Sequence, residues 1–171
     1  RYGNTPLMHA LNNSLGMVKV LLNQKNINVN FQDREGRTAL MHKVRYFKLD
    51  SSLERIKELL KHKNIDVNLQ DIYGYTLLMH ASFCFSDSSL EIIKELLNHK
   101  NIDVNLIDNE GKNYLDFILT NFKTNKFQKF LKILCETKKK EELKKQLKYM
   151  IDKQPEKELK IQLKYIIEKQ I

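Results

Sequence analysis

The chain has 171 residues, of which 42% are hydrophobic and 30% charged, with a formal net charge of +9. Its length suits one globular domain or a small array, and no apolar run nears the roughly 20 residues needed to cross a bilayer. Cys84 and Cys135 stand far from any Cys-x-x-Cys spacing, and two free thiols without a framework point to a reducing setting. An intracellular, cytoplasmic location is therefore expected. The opening at Arg1, in mid-unit, suggests a fragment and leaves an upstream address open.

The first predicted unit starts at Gly3-Asn4-Thr5-Pro6-Leu7-Met8-His9-Ala10. Thr5 caps an inner helix that runs to about Asn13, and Pro6 takes a first-turn position where its missing N–H costs nothing. Gly16 is expected to separate this helix from an outer one carrying Val18, Leu21 and Leu22. The same start recurs at Gly36-Arg37-Thr38-Ala39-Leu40-Met41-His42 and at Gly74-Tyr75-Thr76-Leu77-Leu78-Met79-His80, and in worn form at Gly111-Lys112-Asn113-Tyr114-Leu115-Asp116. In front of the third copy, Asp71 and Gly74 mark the first and fourth positions of a type I turn.

The turn glycines are spaced by 33, 38 and 37 residues, periods that signal a stacked repeat array. From the Leu-Leu pair to the next turn glycine the distance is 14 residues each time (Leu22 to Gly36, Leu60 to Gly74, Leu97 to Gly111). All the variation lies between inner and outer helices, around Tyr46 to Leu49 and Phe83-Cys84-Phe85. There Phe47, Phe83 and Phe85 are read as lengthening the buried stripe of the inner helix, with a partner site on that face as the other reading. Ser51 with Glu54, and Ser88 with Glu91, read as capping boxes that start the outer helices.

Taken together, the Gly-x-Thr-(Pro)-Leu start, the Leu-Leu pairs (Leu21-Leu22, Leu59-Leu60, Leu96-Leu97) and Val-Asn-x-x-Asp (Val29 to Asp33, Val67 to Asp71, Val104 to Asp108) resemble the ankyrin repeat family over residues 1 to 135. Met8, Met41 and Met79 depart from the pattern, standing where the family usually carries His. The resemblance implies an all-α solenoid of helix-turn-helix units joined by short β-hairpin loops. The expected divisions are 1–32, 33–70, 71–107 and 108–137 for four units, with 138–171 as a C-terminal helical hairpin cap.

That last segment differs in charge. Residues 1 to 122 hold 15 Lys+Arg against 14 acidic residues, whereas 123 to 171 hold 15 Lys against 7. Leu143 to Gln154 is echoed by Leu159 to Gln170 at an offset of 16 residues, each copy with an apolar stripe at helical spacing. One continuous helix would turn the second stripe by roughly 160° from the first. Pro155 instead suggests two short helices folded back on each other, covering the exposed end of the array.

No constellation of catalytic residues is present: there is no Gly-rich phosphate loop, no His-Glu-x-x-His and no Gly-x-Ser-x-Gly. His9, His42 and His80 share one repeat slot, His62 and His99 another, and copying of a repeat accounts for them without a metal. Asp71 and Asp108 are likewise turn residues before they are acids. The expectation is a non-enzymatic, monomeric module with no cofactor and no metal, whose partner is another protein.

The family docks partners on its hairpin tips and inner-helix face. Carried onto this chain, the candidate binding residues are Tyr2, Asn4, Arg34, Glu35, Arg37, Ile72, Tyr73, Tyr75, Asn109 and Lys112. The third tip stands apart, placing Ile72, Tyr73 and Tyr75 where solvent is expected, and Tyr buries large area with few rotors. Tyr75 has a second reading, as packing against a neighbouring hairpin. The alternative function is that the basic tail binds nucleic acid or an anionic membrane face, with weak, non-specific nucleic-acid affinity.

Overall fold

The computed structural model describes residues 5–45, 51–83, 87–121, 125–137 and 140–153, together with positions 160, 161, 164, 165 and 168. Among these it places α1 (Pro6–Asn13), α2 (Leu15–Leu22), α3 (Ala39–Arg45), α4 (Ser51–Leu60), α5 (Leu77–Phe83), α6 (Asp87–Leu97), α7 (Tyr114–Asn121), α8 (Asn125–Glu136) and α9 (Lys140–Lys153). No strand occurs among the described residues, only one antiparallel bridge between Gln70 and Thr76 at the neck of a hairpin.

The inner helices α1, α3, α5 and α7 pack side by side in one row, and the outer helices α2, α4, α6 and α8 form a second row behind them. One continuous core runs between the rows. Leu7, Leu11, Leu40, Leu77 and Leu115 enter it from the inner row, and Val18, Ile56, Leu59, Ile92, Leu96 and Phe130 from the outer row. Val29, Val67 and Val104 are also buried, which explains the fixed distance from helix to turn: each anchors the returning chain at one place in the core.

The inner helices begin where they do because each has a satisfied cap. The hydroxyls of Thr5, Thr38 and Thr76 each accept the N–H of the methionine three residues on, at 3.3 Å. In return the sulfurs of Met8, Met41 and Met79 accept the threonine N–H at 3.4 to 3.5 Å. A thioether is a weak acceptor, yet here it closes a capping box normally completed by Glu or Gln. This is what the methionines do in the slot expected to hold His. The fourth unit uses Asn113, whose side chain accepts from Leu115 N at 2.9 Å while Asp116 accepts from Asn113 N at 2.8 Å.

Two expectations need correction. Ser14, not Gly16, separates α1 from α2: its backbone is extended, its hydroxyl accepts from Met17 N, and Gly16 lies inside α2. A side-chain acceptor at the break outweighs the flexibility of a nearby glycine. The side chains of Ser51 and Ser88, read as caps of α4 and α6, lie outside those described. Phe83 does not extend a buried stripe. It ends α5 with 40% of its surface exposed. Phe47, Cys84, Phe85 and Pro155 lie outside the described residues.

The repeats are joined along the outer edge by an amide ladder. Asn30 donates to Asn64 O at 2.7 Å and accepts from Asp66 N at 2.9 Å; Asn68 repeats both bonds with Asn101 O and Asp103 N at the same distances. The next rung is Asn105, which faces α9, the helix that comes after α8 of the fourth unit. Its amide donates to Glu142 Oε1 at 2.7 Å and accepts from Gln146 Nε2 at 2.6 Å, both on α9. Two side chains of the tail thus reproduce the acceptor and donor that the next repeat's backbone would supply. Leu147 and Ile151 of α9 are buried, each worth about 1.5–3 kcal/mol relative to exposure.

Beyond α9, Lys160 and Lys164 both return to Asp152, at 3.6 and 3.1 Å. In a continuous helix Lys164 would lie roughly 18 Å along the axis from Asp152. Asp152 and Lys164 are therefore not on one continuous helix.

Candidate functional site

The hairpin tips are built by their aspartates. In each turn a backbone bond closes from Gly36, Gly74 or Gly111 N–H to the carbonyl of Asp33, Asp71 or Asp108, at 2.9 to 3.0 Å. One carboxylate oxygen of the same aspartate then accepts two further N–H groups: Glu35 and Arg37, Tyr73 and Tyr75, or Glu110 and Lys112. All three glycines have positive φ, between 73° and 80°.

Successive hairpins then stack by backbone bonds, Ile72 N to Glu35 O and Asn109 N to Tyr73 O, both 3.1 Å. Gln32 and Gln70 reinforce the joints, each bridging a carbonyl of its own hairpin and one of the next. The result is a rigid comb. Its three described teeth present the residues between Asp33 and Lys112 on one edge.

On that edge the candidate residues separate into groups. Arg34 and Glu35 are exposed, while Arg37 is buried and held by Glu35, so it is no free finger at the tip. Ile72 and Tyr73 are half exposed, at 55% and 50%. Asn109 is tied to the neighbouring hairpin through Ile72 O at 3.0 Å. Lys112 pairs with Glu110 at 2.6 Å, and each side chain's pKa is pushed towards its charged form by that bond. Tyr2 and Asn4 lie outside the described residues.

Tyr75 packs rather than projects. Its ring makes edge contacts with His80, Phe83 and Phe117, the centroids 5.9, 5.3 and 5.6 Å away. Phe83 and Phe117 meet at 4.4 Å. Burial, then the Asp108 carboxylate, raises the Tyr75 pKa, so its hydroxyl keeps its proton. An aromatic cluster from one tip and two inner helices thus fills the space between the third and fourth hairpins.

One feature of the site was open to reading in the sequence and was missed. The second oxygen of each turn aspartate faces the residue nine positions on. His42 Nε2 meets Asp33 at 2.6 Å, and His80 Nε2 meets Asp71 at 2.9 Å. The signal was the equal spacing of Asp33 to His42 and Asp71 to His80. Burial lowers the His80 pKa despite its carboxylate partner, so the ring is neutral at pH 7 and donates its Nε2–H to Asp71. In the fourth unit Phe117 stands in that place. Asp108 Oδ2 is buried and meets no donor among the described residues.

The other two histidines serve helix ends, where Nδ1 of His62 and His99 accepts from Asn64 N and Asn101 N at 3.3 Å. Elsewhere, an open groove of about 340 Å³ runs between α6 and α8, bordered by Leu90, Lys94, Lys129, Ile133 and Glu136. Lys94 and Glu136 pair across it at 2.9 Å. Among the described residues no group of His, Cys, Asp and Glu is placed to hold a metal ion, and no helix is long and apolar enough to cross a membrane.

The family model for ankyrin repeats matches the chain in three overlapping copies, over residues 1–71, 26–108 and 48–146. No curated protein matches it.

Proposed function

The chain belongs to the ankyrin-repeat family, and from that premise we propose that it is a reversible protein-binding module whose partner docks on the hairpin tips around Ile72 and Tyr73. Members of the family generally mediate protein–protein interaction and are typically non-enzymatic. The observation that carries the placement is the exposure of Ile72 and Tyr73, an aliphatic and an aromatic side chain left half in solvent by a rigid turn that needs neither. Arg34 and Glu35 flank them on one side and Asn109 and Lys112 on the other. Apolar anchors inside a polar rim are the usual anatomy of a protein interface. On this reading the module is an adaptor, or the targeting arm of a larger protein.

The test separates Tyr73 from Tyr75. A binding partner is first captured from cell lysate on the intact chain, and its affinity is then measured against each variant. Tyr73→Ser should weaken binding by about 2 kcal/mol, the size of an interface anchor, with the melting temperature unchanged. Tyr75→Ser should lower the melting temperature, because that ring packs on Phe83 and Phe117. Unchanged affinity in Tyr73→Ser would move the site off the third tip.

The basic tail offers less support for a nucleic-acid or anionic-membrane role. Lys144 pairs with Glu141, and Lys160 and Lys164 with Asp152, so part of its positive charge is matched in place.

A further inference from the structure

The three turn aspartates are built alike except in one respect. Asp33 and Asp71 have both carboxylate oxygens engaged, the first by two turn N–H groups and the second by a histidine. Asp108 has the same two N–H bonds, from Glu110 and Lys112 at 2.8 and 2.9 Å, but its Oδ2 is buried with no donor among the described residues. An unmade bond to a buried charged acceptor is costly.

The surroundings of Asp108 are equally specific. Phe117, where a histidine would stand, contacts Phe83 and Tyr75, and Phe83 is 40% exposed at the rim of that cluster. Lys112 feels the Asp108 carboxylate through space, but no group among the described residues bonds its second oxygen. Lys112 is taken by Glu110, and His80 is neutral and committed to Asp71. The place therefore combines the exposed Phe83 ring and the partly buried Tyr75 with a nearby carboxylate, one of whose oxygens has no donor among the described residues.

We propose that this place receives an arginine side chain of the protein partner, its guanidinium stacked on Phe83 and Tyr75 and drawn in by the carboxylate of Asp108. Arginine fits better than lysine because a planar, weakly hydrated cation can lie on a ring face while its N–H groups point past the edge to a carboxylate. The proposal rests on the hairpin edge being a protein-docking surface and gives the chemistry of one contact there, next to Ile72 and Tyr73.

The test uses the full chain and a defined probe, N-acetyl-arginine-N-methylamide, titrated while amide NMR shifts are followed. Saturable shifts are expected at Tyr75, Gly111 and Lys112, at least tenfold weaker with the uncharged citrulline analogue. Phe117→His should weaken arginine binding at least tenfold by giving Asp108 the partner that Asp33 and Asp71 already have. Asp108→Asn keeps an oxygen for the turn N–H groups while removing the charge, and should also lose binding. It carries the test if Phe117→His fails to fold.

Equal binding of arginine and citrulline probes, absence of saturable shifts at these positions, or undiminished binding in a folded Asp108→Asn variant would overturn the proposal. The two readings fail separately. A partner that needs Tyr73 while the arginine probe does not bind leaves the docking surface standing and removes the arginine. Charge-dependent arginine binding with no partner loss in Tyr73→Ser does the reverse.

Discussion

Each turn aspartate has two oxygens with different roles, and His80 shows what the second is worth. His80→Phe copies the fourth unit's arrangement into the third and leaves Asp71 Oδ2 unpaired in a buried place. Loss of about 1–3 kcal/mol is expected in urea unfolding, the cost of a buried acceptor stripped of its donor. The same residue predicts a pH dependence. Burial holds the folded His80 pKa below its ordinary value of 6.5. Between that lowered value and 6.5 the unfolded chain binds more protons than the folded one, so stability rises with pH across the window and falls on acidification. His80→Phe should flatten this slope between pH 7 and 5. At lower pH Asp33 adds its own loss: burial alone would raise its pKa, but the turn N–H groups and His42 outweigh that and lower it. Its contribution is present above the ordinary carboxylate range and disappears as pH falls through the folded value.

At the level of the hairpin, the turn glycines differ in what lies beyond them. A Cβ on Gly74 would sit 2.7 Å from Asn109 N and 2.9 Å from Asp108 Cα, whereas one on Gly111 would meet nothing within 4 Å. Both residues have positive φ. Gly111→Ala should therefore cost only the left-handed backbone penalty, about 1–2 kcal/mol. Gly74→Ala should add an overpacking cost of about 1–3 kcal/mol, because the next hairpin must back away. Paired urea titrations read the difference directly, and equal costs would mean that the hairpins do not depend on close stacking.

Caps and turns were legible because they are made within four or five residues: Thr76 with Met79, Asp71 with Gly74. The Ser14 break was misplaced onto Gly16 because a flexible residue was weighed above a side-chain acceptor. For Tyr75 the packing reading was legible, but not its partners Phe83 and Phe117, which reach it from two different helices. Arg37 was expected at the tip but is buried and paired with Glu35 of its own hairpin.

The whole molecule is closed at its far end by α9, and Glu142 and Gln146 are the residues that make the joint. Glu142→Ala with Gln146→Ala should lower stability by about 0.5–1.5 kcal/mol per lost bond and reduce amide protection first around Asn105. Deleting residues 138–171 removes Leu147 and Ile151 as well, and should lower the melting temperature far more. A truncated chain that melts like the parent would mean that α9 covers nothing of consequence. Charge belongs to this scale too: nucleic-acid binding by the tail should be weak and vanish between about 50 and 200 mM salt, as release of counterions requires. Sequence-selective binding that survives physiological salt would favour the tail as the working surface.

The imitation at Asn105 also governs how such a molecule can grow. Asn30, Asn68 and Asn105 offer the same amide to whatever follows, and at Asn105 it is α9 that accepts it. A duplicated copy of residues 71–107, spliced in directly after the original, would find a matching neighbour on both sides. Its own Asn105 would meet Glu142, and the longer chain should fold with its stability raised by about one more interface. A copy placed after α9 would instead find Glu142 and Gln146 already engaged by Asn105. The joint at Asn105 therefore favours lengthening by insertion ahead of α9.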